Sequence, residues 1–186
     1  MIADEALASP AFSYRISEAT AARDDRIAAG GLALHAPALA SSGGITALAA
    51  AACTLGAAMD ARITQLFALR RPSLALALDA VARELLFRLA DRAYARIRRD
   101  ARKQGLDAGI ETNPGDDDIA LDQQPAVLTL ADAEQIGITA STPGMLSPVR
   151  SISFVVALGH GLAGRSAAGG RCKRCPSRDR CTSRVN

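Results

Sequence analysis

Three of the four cysteines, Cys172, Cys175 and Cys181, stand together in the closing segment GGRCKRCPSRDRCTSRVN. Two thiolates at an x2 spacing, with a third returning after Pro176, make a compact sulfur set. Such a set suits a tetrahedral zinc ion or an iron–sulfur cluster whose fourth ligand comes from elsewhere. Lys173, Arg174, Arg178 and Arg180 would favour the thiolate form and offset the charge of a thiolate-bound centre. A redox thiol pair and an unliganded tail are the two alternatives. His160 is a candidate fourth ligand through the glycine-rich stretch that separates it from the cysteines. Cys53, inside an apolar run, reads as a small buried residue.

A second constellation is Asp116-Asp117-Asp118. Consecutive carboxylates can hold a hard cation such as Mg²⁺, or form a solvated turn that favours the N-terminus of the next helix. The run Arg96 to Lys103 reads as a solvated helix end or as a face for an acidic partner. His35, beside Pro37, has no neighbour at metal-ligand spacing and reads as structural. No Ser/His/Asp set is recognisable, and GHGLAG lacks the strand-to-helix continuation of a dinucleotide site.

The elements that must position these groups are bounded by composition. At 186 residues the chain suits one domain with appendages, and its 49% apolar content includes only 3% aromatic residues and no tryptophan. Leu, Ile, Val and Ala must therefore supply the core. The net charge of +3 is uneven: seven of the 22 basic residues and one of the 19 acidic ones fall in 165–186, which leaves an acidic remainder. Without a basic face or aromatic platforms in that body, nucleic-acid binding is disfavoured. MIADEALASPAF lacks the features of a secretory signal. The longest apolar runs are broken by charge well short of the roughly 18 residues that span a bilayer. A cytoplasmic protein with no membrane partner is the resulting expectation, and in a reducing compartment clustered cysteines read as ligands or redox groups.

Along the chain, FSYRISE suggests a short edge strand, and Arg23 to Ala40 a partly helical stretch interrupted at Pro37. ITALAAAACTLG fits strand or helix. MDARITQLFAL places Met59, Ile63, Leu66 and Phe67 on one helical face, and Pro72 ends that helix. Ser73 is a plausible N-cap for a long helix whose apolar face steps through Leu74, Leu78, Val81, Leu85, Leu89, Ala93 and Ile97 to a stop at Gly105. LDAGIET reads as a strand entering the Pro114-Gly115 turn, with a helix starting near Leu121. VLTLADAEQIG reads as a helix ended by Gly137, ITAS as a short strand, PGMLSP as a loop, and Val149 to Leu158 as the clearest strand. The order implies an α+β fold, with residues 1–160 as the body, 161–171 as a Gly-rich tether and 172–186 as a Cys-rich basic tail.

The ordered set AACTLGAAMDARI, long helix, NPGDDDIALDQQ, DAEQIGITAS, MLSPVRSISFVV and a cysteine-bearing end resembles the small, free-standing relatives of the activation (reactivation) domain of vitamin B12-dependent methionine synthase. The resemblance covers roughly residues 12 to 186 and rests on the order of the pieces, no one of which is diagnostic. It implies a C-shaped α+β fold with a small, mainly antiparallel sheet and a long central helix. It also implies a role in reductive reactivation of a cobalt corrinoid (cobalamin) carried by a partner methyltransferase or corrinoid protein, with an electron-donor protein as a further partner. Reduction as the theme favours iron–sulfur over zinc at Cys172, Cys175 and Cys181.

Carried over residue by residue, the family's adenosylmethionine-binding turn, of the type R-P-A-P-G-Y, falls on Glu111 to Asp116, where only Pro114 and Gly115 match. Asn113, Pro114 and Gly115, with Ser151 and Ser153 of the S-V-S-like strand, are the implied cofactor-binding residues. Glu111 and Asp116 stand where the family has arginine and tyrosine. A carboxylate facing the ligand's carboxylate costs on the order of several kcal/mol if desolvated, which argues against S-adenosylmethionine bound in the parent manner. The competing reading is a non-catalytic binding or scaffold module with a structural zinc tail.

Overall fold

In the computed structural model, described for residues 7–116, 118–141 and 144–164, a six-stranded sheet forms the middle layer. Its strands are β1 (Ala11–Ala22), β2 (Arg26–Ala29), β3 (Leu32–His35), β4 (Ile45–Thr54), β5 (Asp107–Thr112) and β8 (Ser151–Gly159). They lie in the order β3-β2-β1-β4-β8-β5, with every neighbouring pair antiparallel. A small antiparallel pair, β6 (Thr139–Ala140) and β7 (Leu146–Ser147), lies apart from it. The helices are α1 (Pro37–Ser41), α2 (Ala57–Ala68), α3 (Pro72–Lys103) and α4 (Gln124–Ala131).

The sequence ambiguity of ITALAAAACTLG is resolved as the central strand β4. A strand covered on both faces has no polar face to alternate with, so its sequence reads as a continuous apolar run. Residues 47–54 are all buried. Ala49, Ala51 and Cys53 join Phe154 and Val156 of β8 in the core beneath α2 and α3. Leu48, Ala50 and Ala52 join Val155 and the α4 residues Val127, Leu128, Leu130 and Ala131 on the other face.

Helix α3 begins at Pro72 itself, with Arg71 at the N-cap and no side-chain cap. Proline suits that first position because its missing N–H has no intrahelical partner anyway; Ser73 therefore lies inside the helix rather than capping it. Leu78, Leu89, Ala93 and Ile97 are buried as expected, but Ala75, Ala82, Leu86 and Ala90 complete the face while Val81 is 45% exposed. Phe67 of α2 is likewise exposed, at 48%. The helix stops at Gly105, φ +73°, where Leu106 N donates to Ala101 O and Gly105 N to Arg102 O. That paired arrangement is the Schellman closure, which needs a residue tolerant of positive φ.

The structure differs from three further local expectations. Arg23 to Ala40 is a hairpin, β2 and β3, followed by the five-residue α1; Gly30 and Gly31 both have positive φ, as a two-residue turn requires. FSYRISE is the first part of a 12-residue strand, longer than expected, which pairs with β4 over Ala11–Glu18 and with β2 over Ala19–Ala22, so the FSYRISE part has a strand neighbour on one side only. VLTLADAEQIG is helical only to Ala131; Asp132, φ +55°, turns the chain into a short 3-10 segment, Ala133–Ile136, before Gly137. No helix among the described residues is long and apolar enough to cross a membrane.

Candidate functional site

β5 leaves the sheet at Thr112, opposite Val155 of β8, and runs into Asn113-Pro114-Gly115-Asp116. The turn closes on itself. The Asp116 carboxylate accepts hydrogen bonds from Asn113 N (2.9 Å) and Asn113 Nδ2 (3.0 Å), while Asp116 N donates to Asn113 O (3.0 Å). Gly115, φ +96°, donates its N–H to Ile119 O at 2.7 Å. Two residues further on, the Asp118 carboxylate accepts from Ala38 N (2.6 Å) and Leu39 N (3.2 Å), the exposed amides of α1. Asp116 and Asp118 are thus committed to two different jobs, and no group of three or more His, Cys, Asp or Glu side chains able to hold a metal ion occurs among the described residues. Asp116 closes the turn and Asp118 caps α1.

The far wall comes from the segment before β7. A Cβ on Gly144 would lie 2.6 Å from Leu121 O, and one on Gly115 would lie 3.7 Å from Leu121 Cδ1, so both glycines pack around Leu121. Leu121 and Met145 remain 41% and 58% exposed and give this corner an apolar rim.

Of the two serines expected from the sequence, Ser153 lies within β8, opposite Ala52 of β4. It is buried, and its Oγ accepts a hydrogen bond from Nε2 of the equally buried Gln124, the first residue of α4. Ser151 lies at the start of β8 and donates to Thr54 Oγ1 at 2.9 Å, which also accepts from Gly56 N. It closes the end of β4 rather than facing the turn. Asn113, Pro114 and Gly115 thus share one turn, while Ser153 and Ser151 serve different neighbours, Gln124 and Thr54. The β3 edge is tied to this corner by Gln123: its Oε1 accepts from His35 N (2.7 Å) and its Nε2 donates to His35 O (2.8 Å).

The electrostatics of the turn disfavour an amino-acid carboxylate. Residues 111–116 contain no cation. Glu111, at the position of the family's arginine, is buried opposite Val156 on the α3 side of the sheet. Asp116 is occupied by Asn113. The residues present do not fit adenosylmethionine held through this turn in the manner of R-P-A-P-G-Y.

Two ion-pair clusters escape sequence reading because their members come from distant segments. Arg150, just before β8, pairs with Asp60 of α2 (3.2 Å) and with Asp79 of α3, while Asp60 Oδ2 also accepts from Val149 N (2.6 Å) and Asp79 pairs with Arg83 (2.9 Å). Burial works to raise the Asp79 pKa, but hydrogen bonds from Arg83 and Arg150 outweigh it and hold the carboxyl below its usual range. The second cluster centres on Asp100, which accepts from Tyr14 Oη (2.6 Å), Arg96 (2.9 Å) and Lys103 (2.9 Å). Those bonds, led by that from Tyr14, hold Asp100 well below the carboxylate range, whereas burial and then the Asp100 bond push the Tyr14 phenol up.

Cys172, Cys175 and Cys181 lie outside the described residues. Cys53 is fully buried. His160 is exposed and tied by its backbone N–H to Gly44 O.

The layered α+β arrangement with its long central helix is the fold of the methionine synthase reactivation domain, as the resemblance implied. The chain is similar to the solved structure described as the MetH reactivation domain bound to AdoHcy, with a TM-score of 0.70 at 14% identity. The match covers 93% of this chain and 66% of the other, so this chain spans just under two thirds of that domain's length. No protein-family model matches the sequence, and no curated protein matches it significantly.

Proposed function

We propose that this protein is an accessory factor of corrinoid-dependent methyl transfer that assists reductive reactivation of a partner's cobalt centre. The observation that carries the reading is the extent of the structural likeness, 93% of the chain at a TM-score of 0.70, together with the ordered motifs around the Asn113–Gly115 turn. The partner is a cobalamin-binding methyltransferase or corrinoid protein, and a separate protein donates electrons. Residues 1–160 form the body that meets the partner, 161–171 a tether and 172–186 a tail. Cys172, Cys175 and Cys181 would hold an iron–sulfur or zinc centre in that tail; an iron–sulfur centre there would supply a one-electron relay.

What the body's own residues do is narrower. The Asn113–Asp116 turn, braced by Asp116, and the Gln124–Ser153 pair present a rigid corner with an apolar rim at Leu121 and Met145. A corner with no turn cation is built to meet a neutral or apolar surface rather than to hold an amino acid by its carboxylate. Reduction can proceed without that ligand. Remethylation by this chain cannot be routed through a site of the parent kind.

The test is anaerobic purification of the full chain with metal analysis, followed by mixing with a cob(II)alamin-loaded methyltransferase and a chemical reductant. The expected result is a coloured protein whose visible absorption disappears in Cys172→Ala and which accelerates loss of the cob(II)alamin spectrum. A colourless protein holding one zinc, without effect on the cobalt spectrum, would establish the second reading: a binding module that keeps the fold without the cofactor site. Glu111 and Asp116 favour that second reading. Calorimetry with adenosylmethionine separates the two issues, since absence of heat at millimolar ligand removes methyl donation while leaving the reductive role intact.

A further inference from the structure

Helix α3 handles its charges differently along its length. Up to its middle each arginine has an acidic partner one turn back, Arg83 with Asp79 and Arg88 with Glu84. In its second half Asp100 takes up Arg96 and Lys103. Arg92 and Arg99 have no carboxylate partner among the described residues. Positions 88, 92, 96, 99 and 103 form one stripe at spacings of three and four, and all five are basic, so the acidic body carries a basic face that its overall composition does not reveal. Like charges at those spacings destabilise a helix, and nothing described on this face offsets that for Arg92 and Arg99.

The stripe surrounds a shallow hollow of about 290 Å³ lined by Arg92, Ala95, Arg96 and Arg99. Ala95 is exposed and too short to fill it. Arg96 gives its Nε–H to Asp100 and also bonds Tyr14, so it adds only the remaining donors of its guanidinium to those of Arg92 and Arg99. Three guanidinium forks are thereby grouped on a helix segment about 10 Å long, from the 1.5 Å rise per residue. Planar forks bind phosphate oxygens in pairs. The segment is longer than one phosphate group and short for the face of a folded protein.

We infer that this hollow binds a ligand with two adjacent phosphate groups, free or in a nucleotide, through Arg92, Arg96 and Arg99. The site lies on the exposed face of α3, away from the Asn113–Gly115 corner, and does not depend on the proposed corrinoid role.

The experiment is calorimetric titration of the full chain with pyrophosphate and with ADP, beside inorganic phosphate as the single-phosphate control. Pyrophosphate or ADP is expected to bind at least tenfold more tightly than phosphate, and a preference for ADP would identify the nucleotide as source. Arg92→Gln/Arg99→Gln should weaken binding at least tenfold without lowering the melting temperature, because it relieves like-charge repulsion. Ala95→Glu is the sharper variant: it fills the hollow with an internal partner for both arginines, and should raise the melting temperature while abolishing binding. The inference is overturned if neither diphosphate binds at millimolar concentration, or if both variants bind as the parent does. It is equally overturned if Arg174→Gln in the basic tail removes the binding instead, or if polyglutamate binds and the diphosphates do not.

Discussion

The two faces of the central sheet both have apolar centres and differ in the polar groups set among them. The face under α2 and α3 packs Ala49, Ala51, Cys53, Phe154 and Val156 against the alanine-rich stripe of α3, with Glu111 buried opposite Val156 and the ion pairs at the margin. The face under α4 buries the polar pair Gln124 and Ser153 and leads into the Asn113–Asp116 turn. One face holds through close packing, which responds to any loss of volume. The other combines its own apolar cluster, Leu48, Ala50, Ala52 and Val155 against α4, with a buried hydrogen bond whose two partners must both be present, because a buried polar group without a partner costs more than the bond gains.

The largest effect should come from the packed face. Phe154→Ala removes a fully buried ring between β8 and α3, and core Phe-to-Ala changes cost about 3–5 kcal/mol. A lower urea midpoint at unchanged slope is the expected reading; a change below 1 kcal/mol, about the scale of a surface substitution, would mean that the two faces do not differ in this way. The polar face should respond less, and in a different pattern. Gln124→Leu leaves the Ser153 hydroxyl buried and unpaired, at about 1–3 kcal/mol, whereas Gln124→Leu combined with Ser153→Ala should recover most of that loss. Equal losses in the single and double variants would sink the hydrogen-bond account.

Smaller again is the effect of Asp118→Ala. Ala36, the N-cap of α1, has no side-chain oxygen, and Asp118 satisfies the amides of Ala38 and Leu39 from 80 residues away in sequence. Losing such a cap costs about 0.5–2 kcal/mol. A lowered melting temperature with the Gln124–Ser153 coupling unchanged would show that the cap and the corner are separate devices.

How much of this was legible depended on whether a residue's partner lay nearby in sequence. SISFVVAL read as a strand because β-branched residues dominate it, and Gly105 as a stop because a helix ends best on a residue free to take positive φ. Helix α3 was legible as a helix, but its buried face was misjudged by about one position. Leucines flank the alanines on both sides, and periodicity alone cannot tell that Ala75 and Ala82 face the sheet while Val81 faces water. RIAAGGLALH looked helical because alanine suits helices; the paired glycines and the register with β1 made it a hairpin. The turn at Asn113–Gly115 was found through the order of motifs around it. Gln124 on Ser153, Asp118 on α1 and Arg150 between Asp60 and Asp79 are pairings across 29 to 90 residues, invisible until the sheet brings them together.

The faces should also part company in acid. Asp79 and Asp100 both lie on α3 and both titrate below their ordinary range, Asp79 through Arg83 and Arg150, Asp100 first through Tyr14 and then through Lys103 and Arg96. A carboxylate whose pKa is lower in the folded than in the unfolded chain binds fewer protons when folded. Its contribution is fully present above the unfolded value, about 3.9 for aspartate, and is lost as pH falls through the folded value. Gln124 and Ser153 carry no proton to gain in that range. Acid should therefore loosen the contacts of α3 with Tyr14 on β1 and with Arg150 before β8, while leaving the Gln124–Ser153 coupling as it was. Urea midpoints measured stepwise downward from about pH 5, where that loss begins, should fall in the parent and fall less in Asp79→Asn/Asp100→Asn. Tyr14→Phe should move the Asp100 titration, followed by carboxyl NMR, to higher pH, because it removes the leading hydrogen bond. An acid limb identical in parent and double variant would show that these two carboxylates do not anchor α3, and the division between a packed face and a hydrogen-bonded one would then rest on the core substitutions alone.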